Sequence, residues 1–126
     1  EGKTVLIIDD MIASGESMLD TARELKERKA KKVIICCTFG LFTEGLKAFD
    51  AAFEKGYFDR VVVTNLTYLP PEMKERSYFI EADMSKFTAS IIDFMNHDLS
   101  MGNVLTPTHK IQELLANYNQ RDFEDL

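Results

Sequence analysis

Nine residues near the amino terminus hold most of the chemistry this sequence can do. The run Asp9-Asp10-Met11-Ile12-Ala13-Ser14-Gly15-Glu16-Ser17 leaves an apolar stretch and enters an amphipathic one. Two adjacent carboxylates can accept hydrogen bonds from vicinal hydroxyls, or hold the waters around a magnesium ion. Ser14 and Ser17 can donate hydroxyl hydrogen bonds, and Gly15 permits close approach or a positive φ. A helix that starts here offers unpaired amide hydrogens and the positive end of its dipole, which suit a phosphate. The array as a whole fits a phosphorylated sugar. Taken singly, each residue has an ordinary use: Ser14 or Ser17 as a helix N-cap, Asp10 as a strand-end turn residue. No G-x-x-x-x-G-K-[ST] or G-x-G-x-x-G pattern is present, so the turn is neither a P-loop nor a dinucleotide fingerprint.

Such a turn works only if the flanking elements hold it. Residues 3–8 (KTVLII) lack helical spacing and predict a buried strand that ends at the acids. Residues 17–29 predict an amphipathic helix with Met18, Ala22 and Leu25 inward. A second strand is expected over 33–39 and a second helix over 43–55, its stripe carried by Leu46, Phe49 and Phe53. Gly56 stands where a left-handed C-terminal cap belongs. Residues 60–64 predict a third strand. Pro70 and Pro71 argue against regular structure. A short strand at 78–81 then leads to a helix over 85–96 with Phe87, Ile91 and Phe94 inward. The alternation implies an α/β fold, a three-layer sandwich whose mainly parallel sheet is covered on both faces, with right-handed crossovers. Residues 100–106 read as a loop. Thr106-Pro107 opens a last helix with Ile111, Leu114, Leu115 and Tyr118 on one side. The expected division is a domain over 1–105 and a helical extension over 106–126.

With 126 residues, 45% hydrophobic and 29% charged, the chain is sized for one globular domain. Fifteen Lys and Arg against 21 Asp and Glu give a net charge of -6, which argues against sequence-independent nucleic-acid binding. Apolar runs such as 5–8 are far below the ~20 residues that span a bilayer. No targeting segment is visible, and the first residue is Glu1 rather than Met, which points to a fragment of a longer cytoplasmic protein. Cys36 and Cys37 are neighbours in a strand, so they face opposite ways and read as two buried thiols in a reducing compartment. His97 is expected at a helix end, and His109 has no metal-ligand companion. Phe39, Phe42, Thr64 and Asn65 sit at strand ends on the side of the candidate turn. Each is an equal candidate for packing or ligand contact. Lys31 and Lys32 precede a strand at the opposite end.

The run from Val5 to Ile12, followed by the turn, resembles the signature of the phosphoribosyltransferase superfamily. The segments GKTVLIIDDM, ELKERKAKKVIICCTFGLF, DRVVVTNLTYLPPEM and FMNHDLSMGNVL resemble, in order and spacing, the carboxy-terminal half of the ribose-phosphate pyrophosphokinases. The resemblance covers residues 2–105 and implies a phosphoribosyltransferase-like (type I) fold. It implies a diphosphokinase that moves diphosphate from ATP to ribose 5-phosphate, giving phosphoribosyl diphosphate and AMP, with Mg²⁺. Asp9 and Asp10 would address the ribose hydroxyls, directly or through magnesium-bound water. Ala13, Ser14, Gly15, Glu16 and Ser17 would wrap the 5-phosphate. ATP would bind mainly through an amino-terminal domain outside this chain, and the assembly would be a homo-oligomer. No catalytic residue is assigned. Three positions depart from the family pattern: Ser14 and Ser17 replace threonines, a mild change that keeps the hydroxyl, while Ala13 replaces an aspartate and so removes a carboxylate, which weakens the base-transferase alternative. Glu16 brings a negative charge where small or basic residues are usual. Two alternatives stay open, a phosphoribosyltransferase acting on a nucleobase and a catalytically inactive regulatory homologue.

Overall fold

The structure, a computed structural model, describes residues 1–102 and 106–118. In chain order the elements are β1 (Thr4–Ile12), α1 (Glu16–Glu27), β2 (Lys32–Gly40), α2 (Lys47–Glu54), β3 (Arg60–Thr64), α3 (Pro71–Lys74), β4 (Phe79–Ala82), α4 (Ser85–Asn96) and α5 (Thr108–Tyr118). Two compact units result: one is Glu1–Met84 and the other begins at Ser85. No helix among the described residues is long and apolar enough to cross a membrane.

In the first unit the four strands are parallel and run side by side as β1-β2-β3-β4. Strands added in sequence with right-handed crossovers put their connecting helices on one side. Met18 and Ala22 of α1, Phe49 and Ala52 of α2 and Met73 of α3 accordingly share one core with Val33, Ile35, Val61 and Val63. The other face carries a row of neighbours in register, Ile8, Cys36, Val62 and Ile80. On β1 that face is bare: Leu6 is 57% and Ile8 77% exposed. The parallel α/β fold is as the sequence predicts, but all three crossover helices of this unit cover the same face.

Boundaries differ from expectation for local reasons. β1 runs four residues beyond Ile8, because Met11 and Ile12 still pair with Phe39 and Gly40. α1 stops at Glu27 because Lys29 adopts φ 63, and Lys29 and Ala30 donate to the carbonyls of Lys26 and Leu25. This is the same left-handed termination that Gly56, at φ 71, gives α2. α2 starts at Lys47 rather than 43. The segment after Pro70, expected to be irregular, forms a helical turn with Pro71 in its first position, where a missing N–H costs nothing. In the second unit Ile91 and Phe94 are only half-buried, Phe87 is exposed, and Ile111, Leu114 and Leu115 of α5 are exposed. The side chain of Tyr118 and residues 103–105 lie outside the described set.

Two polar clusters fasten the core. The Asp59 carboxylate accepts from the Lys26 ammonium and the Val33 amide, both at 2.8 Å. Burial works to raise its pKa, but these two donors outweigh that and hold it below the usual carboxylate range. On the other side, Asp50 of α2 takes a two-pronged contact from Arg76 at 3.3 and 3.1 Å and the Tyr78 hydroxyl at 2.7 Å. The Arg76 hydrogen bonds hold the Asp50 carboxyl low, while burial first and Asp50 second push the Tyr78 phenol up. A carboxyl with a depressed folded pKa stabilises above its unfolded pKa, and that stabilisation disappears as pH falls through the folded value. Asp50→Asn is expected to lower the urea midpoint near pH 7, and the gap should close as pH drops below about 4. A gap that persists unchanged into acid would show that the charge of Asp50 is not what stabilises.

Candidate functional site

Asp9 and Asp10 lie inside β1, not beyond it, so successive side chains leave opposite faces of the sheet. Asp9 sits beside Cys37 in register, and its Oδ1 accepts from the Asp10 amide at 2.8 Å. Both acids are exposed, and the Asp10 carboxylate has no partner among the described residues. The strand ends at Ile12, which is buried, and the chain turns through Ala13, Ser14 and Gly15 into α1.

The turn is pinned from behind. The Ile12 carbonyl accepts from the amides of Leu41 and Phe42 at 2.9 and 3.3 Å, and the Ala13 carbonyl accepts from Thr43 at 3.1 Å. Gly15, at φ 82, is the N-cap residue, and its carbonyl accepts the first α1 bond from Leu19 at 2.9 Å. Ser14 Oγ accepts from the Glu16 amide at 3.4 Å. The amide hydrogens of Ala13, Ser14, Gly15, Ser17 and Met18 meet no acceptor among the described residues. That is the donor set expected of a helix start, extended by a turn of chain. Ser14 and Glu16, with Asp20 and Arg23 one and two turns after Glu16, line a groove of about 440 Å³ between α1 and α2.

Of the other candidate positions, Phe42, Thr64 and Asn65 have structural partners, and Phe39 has no ring partner among the described residues. Phe42 is 7% exposed and meets Phe49 edge-on with ring centroids 5.1 Å apart, whereas Phe39 is 40% exposed at the sheet end. Thr64 Oγ1 donates to the Thr38 carbonyl at 2.6 Å. The Asn65 side chain donates to Asp83 and accepts from the Met84 amide, bracing the end of β3 to the end of β4. Cys36 and Cys37 are free thiols; burial raises both, Cys37 to about 11, so neither is a ready nucleophile. His97 lies just past α4, its Nδ1 2.9 Å from the Asp93 carbonyl, and serves the helix end. No group of three or more His, Cys, Asp or Glu among the described residues is arranged to hold a metal.

Residues 1–64, the segment that contains β1, this turn and its support, match the phosphoribosyl transferase domain family. The chain belongs to that family. Among its relatives are two named ribose-phosphate pyrophosphokinase. That of Prochlorococcus marinus (strain MIT 9313) is 41% identical over 64 residues, covering 51% of this chain and 19% of the relative. That of Pasteurella multocida (strain Pm70) is 31% identical over 105 residues, covering 83% and 32%. The chain therefore spans about a fifth to a third of the length of these relatives. The crystal structure of phosphoribosylpyrophosphate synthetase from Mycobacterium smegmatis superposes with a TM-score of 0.67 at 24% identity, over 78% of this chain and 32% of that one, a likeness of fold.

The family's turn here depends on a residue that the sequence reading assigned only to the core. A Cβ built on Gly15 would lie 2.4 Å from two ring atoms of Phe49, which is fully buried. Helical spacing marks Phe49 as inward, but nothing in the spacing says that the glycine lies beneath it. Enlarging Gly15 therefore disturbs the fold as well as the turn. Gly15→Ala is expected to destabilise the protein by about 2–4 kcal/mol, from the left-handed φ and the overpacked ring together. Chemical denaturation checks it, and a loss under about 0.5 kcal/mol would show that the ring yields freely.

Proposed function

We propose that this chain is the ribose-5-phosphate-binding part of a ribose-phosphate diphosphokinase. In this reading residues 1–105 are the sugar-phosphate domain and 106–126 an extension beyond it. The observation that carries the reading is the turn at 13–15 with its acceptor-free amides, placed directly after two exposed carboxylates. Five acceptor-free donors and a helix dipole suit a dianionic phosphate ester, and the carboxylates suit the hydroxyls at the far end of the sugar. Membership of the family and the names of the relatives point the same way.

In this reading Ala13, Ser14, Gly15, Glu16 and Ser17 hold the 5-phosphate, mainly through backbone N–H groups, with the hydroxyls of Ser14 and Ser17 adding donors. Glu16 takes part through its amide alone, which must then exchange its 3.4 Å contact with Ser14 Oγ for the phosphate. Asp9 and Asp10 orient the ribose. They are hard oxygen donors without a protein cage, which fits a magnesium ion that keeps its waters and completes its shell on substrate phosphates. When bound, that ion neutralises diphosphate charge. The anomeric hydroxyl oxygen bonds to the β-phosphorus of ATP, AMP leaves, and the hydroxyl proton is lost. The chain's part in this is positioning rather than covalent chemistry. ATP is held mainly by other parts of a longer protein, which works as a homo-oligomer in the cytoplasm. Ala13 and Glu16 also favour a second reading, a regulatory homologue that binds the sugar phosphate without turnover.

Calorimetry on the chain is expected to show binding of ribose 5-phosphate and none of ribose. Equal affinity for both would remove the turn from the site. Release of AMP from ATP and ribose 5-phosphate by the full-length protein is expected; binding without AMP would select the regulatory reading. Asp9→Asn is expected to weaken ribose 5-phosphate binding by about tenfold in Mg²⁺ and by less without it. Equal losses in both conditions would separate Asp9 from the ion.

A further inference from the structure

A peptide unit is trans and planar, so its C=O and N–H point in opposite directions. The Ile12 carbonyl and the Ala13 amide belong to one such unit, and the Ala13 carbonyl and Ser14 amide to the next. Both carbonyls are drawn inward by Leu41, Phe42 and Thr43. The Ala13 and Ser14 N–H groups are therefore turned outward by hydrogen bonds made on the far side of their own peptides. The middle one of those three donors is held by an aromatic contact. Phe42 takes φ 46 and packs edge-on against Phe49, and Phe49 also fills the space beside Gly15 where a side chain would otherwise begin.

We propose that Phe49 is a positioning residue for the turn. By seating Gly15 and Phe42 together it holds the β1–α1 turn in its anion-receiving form before any ligand arrives. This rests on the proposed sugar-phosphate role of the turn and adds to it a residue that touches no ligand. Preorganised donors cost nothing to align at binding, whereas a turn released from Phe49 must be ordered by the ligand.

Phe58 provides the control. It is also buried, meets Phe49 edge-on with centroids 6.2 Å apart, and is not among the atoms closest to Gly15. Phe49→Leu and Phe58→Leu remove similar volumes from the same core, and thermal unfolding of both variants places them on one stability scale. Ribose 5-phosphate affinity is measured by calorimetry at a temperature where both are folded. Phe49→Leu is expected to lose about tenfold or more in affinity, and Phe58→Leu less than about twofold. Amide NMR is expected to show shifted, faster-exchanging Ala13 and Ser14 signals in Phe49→Leu only. Phe49→Met, which refills much of the volume, should recover part of the affinity. Equal affinities in the two leucine variants, with unmoved Ala13 and Ser14 signals, would overturn the proposal and leave the site standing. Wild-type protein that does not bind ribose 5-phosphate would instead overturn the reading of the site itself.

Discussion

The turn at 13–15 is held by a contact between a glycine and a ring. With φ 82 and Phe49 where its side chain would be, Gly15 fixes the angle at which α1 leaves the sheet. The backbone around it is fastened at both ends, by Ile12 and Ala13 to the following loop and by Gly15 to Leu19. An anion site made of amides needs this, since a flexible loop would spend binding energy on its own ordering. The core and the proposed site thus share one support. The ring that fills the middle of the core also supports the peptide at the surface.

The sheet itself is asymmetric. All three crossover helices of the first unit pack on the face that bears Phe49, while Leu6 and Ile8 on the opposite face of β1 stay exposed. Sequential strand order with one handedness of crossover forces that result, whatever the side chains are. The two polar clusters serve the covered face. Asp59 ties α1 to the start of β2, and Asp50 ties α2 to the entry of β4, each carboxylate kept ionised by hydrogen-bonding cations. They hold the helices in place, and the ring with them.

Much of this could be read from residue order. β-branched runs and three- and four-residue apolar spacing located β1, α1, β2, α2 and β3. Gly56 marked one helix end because a left-handed cap is most easily met by glycine. Lys29 ends α1 in the same conformation without such a mark, and the expected helix was two residues too long. Pro71 was taken as a breaker, because its position as the first residue of a helix depends on the turn that precedes it. Asp9 and Asp10 were placed beyond their strand, since only pairing with an equally long β2 shows that β1 continues through them.

Sequence by itself determined the alternation of parallel strands and helices, and a hydroxyl- and glycine-bearing turn between two acids and a helix. These follow from covalent order, because side-chain periodicity and residue type are local properties. Tertiary structure decided which way the peptides of that turn face. That choice is made by Leu41, Phe42, Thr43 and Phe49, residues 26 to 36 positions downstream that come to the turn only once β1 and β2 have paired. A carbonyl can be pulled inward, and its partner amide turned outward, only by groups the chain must first fold to deliver.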